Sequence, residues 1–309
     1  MPATTATFFI TTARAGTQWL SDSFRRVYSD VLVTEHEPIR YAYRPKRYLR
    51  AYDQLEELRA LPAVRDHLDR IHGILDARSY AEVGFPCYAM APLLVREFGS
   101  RLRLVQLLRH PVRVAASVVT HRWYQAERKD SLHADVTPAP TDPGVVQKDY
   151  EDRWRDLSSF EKGLFYWTEV HLFGLEVQDR YPDVPFFTVK FEDIVDPPAA
   201  LRDLVGFLGL DFRTELQEGV SDRVDRYRQR TPLAIDPTEI HRHPRTLALA
   251  EQFGYDPTSV DGAFLHERYG VEPQMSLLHR AVRKLQRALP RGSESSRGQP
   301  GARSRGPGD

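Results

Sequence analysis

The chain has 309 residues, 41% hydrophobic and 11% aromatic, enough to fill the core of one large α/β domain or two small ones. Lys plus Arg and Asp plus Glu each number 43, so the net charge is zero, no global field recruits nucleic acid, and any anion site must be local. The one cysteine, Cys87, excludes an intramolecular disulfide. The N-terminal stretch lacks the basic segment, apolar run and cleavage site of a secretory signal, so a cytoplasmic location is expected, and no apolar run is long enough to suggest a membrane span.

In chain order, residues 7–12, 31–34, 80–84, 102–108 and 185–191 read as short apolar strands separated by helical stretches, the pattern of a parallel α/β sheet. The first strand runs into Ala13, Arg14, Ala15, Gly16, Thr17, Gln18 and Trp19, and then into a helical stretch with Leu20, Phe24 and Val27. A strand, a tight loop and a helix start form an anion cradle. Gly16 allows close backbone approach, the free N–H groups of the first turn face the anion, Thr17 adds a hydroxyl and Arg14 a forked cation. The loop is neither a G-x-x-x-x-G-K-[ST] nor a G-x-G-x-x-G motif, and an ordinary βα turn would contain the same residues.

The second strand ends in Glu35, His36, Glu37 and Pro38, at the strand end where open parallel sheets bind ligands. Each of the first three is a candidate base, and a solvated acidic turn is the alternative. Glu82 in the third strand and Tyr88 just after it are candidate pocket residues, and Cys87 is expected as a small buried hydrophobe. The fourth strand ends at Arg109, followed by His110, Pro111 at a helix start and Ser117 less than two turns in, so that one guanidinium and one hydroxyl can face a common anion.

Residues 123–157 lose periodicity, and 137–144 must be loop, a candidate substrate wall. A helix from Pro198 carries Leu201, Leu204, Val205 and Leu208 on one stripe, with Gly209 as its stop. His241 and His243, with Arg242 and Arg245, read as a polar loop rather than a metal site. The expected organisation is a domain over residues 1–275, a basic amphipathic helix over 276–289 and a disordered tail over 290–309. Residues 277–289 can dock on the domain or touch an anionic membrane, and 12 of the last 20 residues are Gly, Pro or Ser.

Arg14, Gly16 and Thr17 after the first strand, with Arg109, Pro111 and Ser117 after the fourth, resemble the sulfotransferases that use 3′-phosphoadenosine 5′-phosphosulfate (PAPS). The segment around Phe191, Glu192 and Asp193 resembles the same family's late strand, where its role is chiefly structural. The resemblance implies a P-loop-like three-layer α/β domain with a central parallel sheet flanked by helices. It also implies sulfuryl transfer to an acceptor hydroxyl or amine, in line and without a metal. Residues 14–19 would hold the phosphosulfate, with Trp19 stacked on adenine or else packed in the core, and Arg109 and Ser117 would hold the 3′-phosphate.

The Glu-Pro pair resembles that of the carbohydrate-type branch, which favours Glu37 over Glu35 and His36 as base. Ala15 departs from the family's frequent Ser, and no R-K-G-x-x-G segment occurs near the C-terminus, pointing to the carbohydrate-type or bacterial branch. The implied acceptor is a small molecule, carbohydrate or lipid. Two rivals are a magnesium-dependent P-loop kinase-like enzyme and a non-catalytic nucleotide-binding module of the same fold.

Overall fold

Ala6–Thr11 (β1) is buried along its whole length, as a strand enclosed on both faces and both edges must be. The computed structural model describes residues 4–124, 135–195, 199–217 and 235–259, with Gly262 and Leu265. The expected helix over 276–289, the tail from 290 and the domain boundary at 275 lie outside the described residues, as does Pro198.

The strands Leu32–Glu35 (β2), Ser79–Glu82 (β3), Leu102–Leu108 (β4) and Phe186–Lys190 (β5) complete a five-stranded sheet of order β2-β3-β1-β4-β5. All neighbours are parallel, with Phe8 opposite Glu82 and Leu104, and Glu35 opposite Glu82. Each expected strand is present, displaced by at most two residues at either end.

Alternation along the strands divides the core into two faces. Phe8, Ile10, Leu102 and Leu104 point into one cluster, and Phe9, Val105 and Leu107 into the other. The first cluster is covered by Pro62–Leu75 (α4), Ala91–Phe98 (α5) and Ser159–Arg180 (α7), the second by Thr17–Tyr28 (α1) and Ala199–Phe207 (α9). This is the expected three-layer arrangement. Pro45–Tyr48 (α2), Leu55–Ala60 (α3), Pro111–Thr120 (α6), Phe191–Val195 (α8) and Pro244–Gln252 (α10) fill in around it.

Leu201, Leu204 and Val205 on α9 and Leu208 just after it are buried as the stripe requires, and Gly209 follows with φ 75°. Helix α7 begins with a reciprocal capping box between Ser158 and Glu161. Its Gly163 lies so close to α6 that an added Cβ would stand 2.9 Å from Ala115 Cα. That contact seats α6, and with it Ser117, against the longest helix. Among the described residues, no helix is long and apolar enough to cross a membrane.

One expectation needs correction. His243 is fully buried: Tyr150 OH lies 2.8 Å from its Nδ1 and Glu161 Oε1 3.3 Å from its Nε2, so it is a core group rather than part of a solvated loop. The described part of segment 123–157 is irregular, as expected, yet it is pinned down. Val136, Val145 and Tyr150 enter the core, Gln147 donates to Glu169, and Gly144 lies directly over the Leu49 carbonyl.

Candidate active site

At the C-terminal ends of β1, β2 and β4, contacts join Arg14 to Ser117 and Arg109, and Thr17 through His36 to Glu37. The loop after β1 is shaped by two left-handed residues, Arg14 at φ 70° and Gly16 at φ 86°. The first is unusual for a side chain with a Cβ and costs about 1 kcal/mol or more. Neighbours hold it: Arg109 Nη1 donates to the Arg14 carbonyl, and Tyr166 OH on α7 accepts from Ala13 N–H at 2.9 Å.

Gly16 is required twice, by its φ and because a Cβ there would fall 2.0 Å from the Phe191 ring. No side chain caps the N-terminus of α1, so the first-turn N–H groups of Thr17, Gln18 and Trp19 stand at the positive end of a 12-residue helix. Ala15 is fully buried among apolar residues.

Arg14 Nε donates to Ser117 Oγ at 3.0 Å, so the loop after β1 and the helix after β4 form one cluster. The Arg109 guanidinium stands over the Phe191 ring at 5.6 Å, and Trp167 Nε1 donates to the Arg109 carbonyl at 2.8 Å. Glu192, next to Phe191, accepts from His110 N–H at 3.2 Å and from Tyr255 OH at 2.9 Å. The late Phe-Glu-Asp segment therefore supports both loops from the β5 side. Trp19 is 9% exposed and meets Phe191 edge to face, so it sits as a core aromatic with little surface left for a purine; Gln18 instead bonds Asp22 at 2.9 Å.

The three candidate bases separate clearly. Glu35 is engaged by Arg70 through both oxygens and by Tyr80 OH at 2.7 Å; burial raises its pKa, but these bonds more than reverse the effect and hold it below the usual range. His36 Nε2 lies 3.1 Å from Thr17 Oγ1 and 3.6 Å from Glu37 Oε1, and burial lowers its pKa. Glu37 has a left-handed backbone, φ 53°, and its Cγ fills the space above Gly84. Burial, reinforced by the charge of Glu82, pushes its pKa up to about 7. A carboxylate poised there can accept a proton at neutral pH.

Glu82 and Tyr88 do not line an open acceptor pocket. Glu82 is 1% exposed and bonded to His67, and Tyr88 is fully buried in the core. Cys87 is buried as expected, and burial pushes its thiol well up. Sequence reasoning singled out the segment around Phe191 as structural, and it missed Tyr166, His67, Arg70 and Tyr80, which carry no local signal.

A family model described as sulfotransferase domain matches residues 4–233. No curated protein matches the chain. Among solved structures, the chain is similar to the sulfotransferase domain of the Synechococcus PCC 7002 olefin synthase, at 15% identity and a TM-score of 0.48 over 82% of this chain and 96% of that one. It is also similar to the sulfotransferase domain of the curacin biosynthetic pathway, at 15% identity and a TM-score of 0.46 over 82% and 98%. A sulfotransferase from Alicyclobacillus acidocaldarius aligns at 18% identity and a TM-score of 0.43 over 88% and 98%.

Proposed function

The chain belongs to the sulfotransferase family, and on that premise we propose that it moves a sulfuryl group from PAPS to the hydroxyl or amine of a small-molecule, carbohydrate or lipid acceptor, in line and without a metal. The observation that carries this reading is the union of the two anion elements through the Arg14–Ser117 and Arg109–Arg14 hydrogen bonds. Two guanidiniums, one hydroxyl and an uncapped helix N-terminus converge on one region, a donor set that suits a ligand with two separate phosphate groups. Thr12 Oγ1, buried where the loop begins, finds no partner among the described residues, which also fits a polar ligand at this loop.

In this reading Arg14, Gly16, Thr17 and the first-turn N–H groups of Gln18 and Trp19 hold the phosphosulfate, and Arg109 and Ser117 the 3′-phosphate. The donor supplies the sulfuryl group and a leaving phosphate. In this role Arg14 stabilises the charge that builds on that phosphate, and a loop that is already folded needs little reorganisation to do so. Glu37 takes the acceptor proton as the new S–O or S–N bond forms. His36, between Thr17 and Glu37, keeps the donor loop and the base in register.

Calorimetry of Arg109→Ala tests the assignment. Loss of charge-assisted bonds to one phosphate should weaken adenosine 3′,5′-bisphosphate by about 10- to 100-fold and adenosine 5′-phosphate much less. Equal losses for both nucleotides would overturn it. Incubation with labelled PAPS and a cell extract, followed by identification of the labelled product, names the acceptor.

A further inference from the structure

Arg109 directly follows β4, and the peptide that joins it to His110 is gripped on both edges. Trp167 Nε1 on α7 donates to the Arg109 carbonyl at 2.8 Å, and the His110 N–H of the same peptide unit donates to Glu192 Oε1 on α8 at 3.2 Å. The C=O and N–H of a planar peptide point opposite ways, so two such bonds fix its rotation. His110, held extended at ψ 126° before Pro111, then carries the chain from this plane straight into α6.

Both gripping side chains are themselves held by residues 253–256, where the chain leaves α10. Phe253 meets the Trp167 ring edge to face with centroids 6.3 Å apart, and Tyr255 OH donates to Glu192 Oε2 at 2.9 Å. His110 is touched as well: its Nε2 lies 3.2 Å from the Asp256 carbonyl, and its ring meets Tyr255 edge to face at 5.4 Å. Lys190, the last residue of β5, ties the segment down by donating to the Gly254 carbonyl at 3.0 Å.

The far end of Arg109 refers to the same helix. Its guanidinium stands over Phe191, the neighbour of Glu192, and donates to the Arg14 carbonyl. A carboxylate this close to an arginine meant for phosphate works against anion binding by repulsion. What Glu192 supplies is geometry, since its two oxygens accept one bond from the Arg109–His110 peptide and one from Tyr255.

We propose that Glu192 is a positioning residue, and that residues 253–256, acting through it and through Trp167, fix the Arg109–His110 peptide and so set the affinity of Arg109 for the 3′-phosphate. The proposal rests on the reading of Arg109 as a ligand of that phosphate.

The test is calorimetry of the full chain with adenosine 3′,5′-bisphosphate and with adenosine 5′-phosphate, read as the ratio of the two affinities. A general loss of stability or of folded protein leaves that ratio unchanged. Glu192→Ala releases the peptide and should lower the ratio by about 5- to 50-fold. Glu192→Gln keeps a carbonyl oxygen for the His110 N–H and removes the negative charge, so its ratio should match or exceed the parent's. Tyr255→Phe, which changes no charge, should lower the ratio by about 3- to 10-fold and should have no further effect in an Arg109→Ala background. If charge alone mattered, both Glu192 variants would raise the ratio, and that result overturns the proposal, as does a further loss on adding Tyr255→Phe to Arg109→Ala. A ratio lost in Arg109→Ala but kept in Glu192→Ala or in Tyr255→Phe overturns the proposal alone, whereas a ratio kept in Arg109→Ala overturns the reading of Arg109 and the proposal with it. Should Glu192→Ala fail to fold, Tyr255→Phe decides by itself.

Discussion

Replacing Gly16 with Ala tests the shape of the donor loop. The new methyl group meets two obstacles. At φ 86° an L-residue is strained by about 1–2 kcal/mol. Its Cβ would also lie 2.0 Å from Phe191 Cε2 and 2.5 Å from two further ring atoms, so the ring must move. Phe191 then loses its edge contact with Trp19, at 6.0 Å, and its place under the Arg109 guanidinium, at 5.6 Å. These are worth about 0.5–1.5 and 0.5–1 kcal/mol respectively.

The expected destabilisation is therefore about 2–4 kcal/mol, measured by urea unfolding, with weakened adenosine 3′,5′-bisphosphate binding because the ring carries Arg109 with it. In a Phe191→Ala background only the backbone strain remains, so the same Gly16→Ala change should cost about 1–2 kcal/mol, and the double-mutant cycle should show a coupling of at least about 1 kcal/mol. Additive losses, or a Gly16→Ala protein as stable as the parent, would refute the claim that Phe191 closes over this loop.

Arg14→Ala should lower kcat by about two to three orders of magnitude, the usual effect of removing a preorganised charge partner, and weaken the donor as well, both measured by steady-state kinetics. Glu37→Gln should lower kcat by about 10²- to 10⁴-fold with donor affinity intact, and the acid limb of the parent's rate profile, with its midpoint near the Glu37 pKa of about 7, should vanish. The same raised pKa has a consequence for stability: the folded chain holds the Glu37 proton more tightly than the unfolded chain. That contribution is complete below about pH 4 and is lost as pH rises through about 7. Glu37→Gln should therefore unfold at higher urea than the parent at pH 8, by about 1–3 kcal/mol, with little gain at pH 5. Gly144→Ala should destabilise by more than about 2 kcal/mol, since its Cβ would lie 1.6 Å from the Leu49 carbonyl oxygen, which cannot move aside. Gly73→Ala, where α4 leaves open space, should instead stabilise by about 0.5–1 kcal/mol in the same assay.

The five strands, the loop after β1 and the arginine after β4 were legible in the sequence because their signals are local. An apolar run between turn residues marks a buried parallel strand, Gly16 marks a left-handed turn, and Pro111 marks a helix start. Among Glu35, His36 and Glu37 the sequence favoured Glu37 only through the resemblance of its Glu-Pro pair, because three adjacent residues are all able to accept a proton and differ in what the rest of the chain brings to them. Arg70, from a helix about 35 residues away, binds Glu35. Burial above Gly84 and the nearby Glu82 leave Glu37 as the carboxylate with a raised pKa. The same limit hid the burial of His243, which depends on Tyr150 and Glu161, and the inward seat of Glu82, which depends on His67. Spacing in one dimension reports periodicity and turn chemistry, whereas desolvation and charge pairing depend on distances that only the folded chain sets.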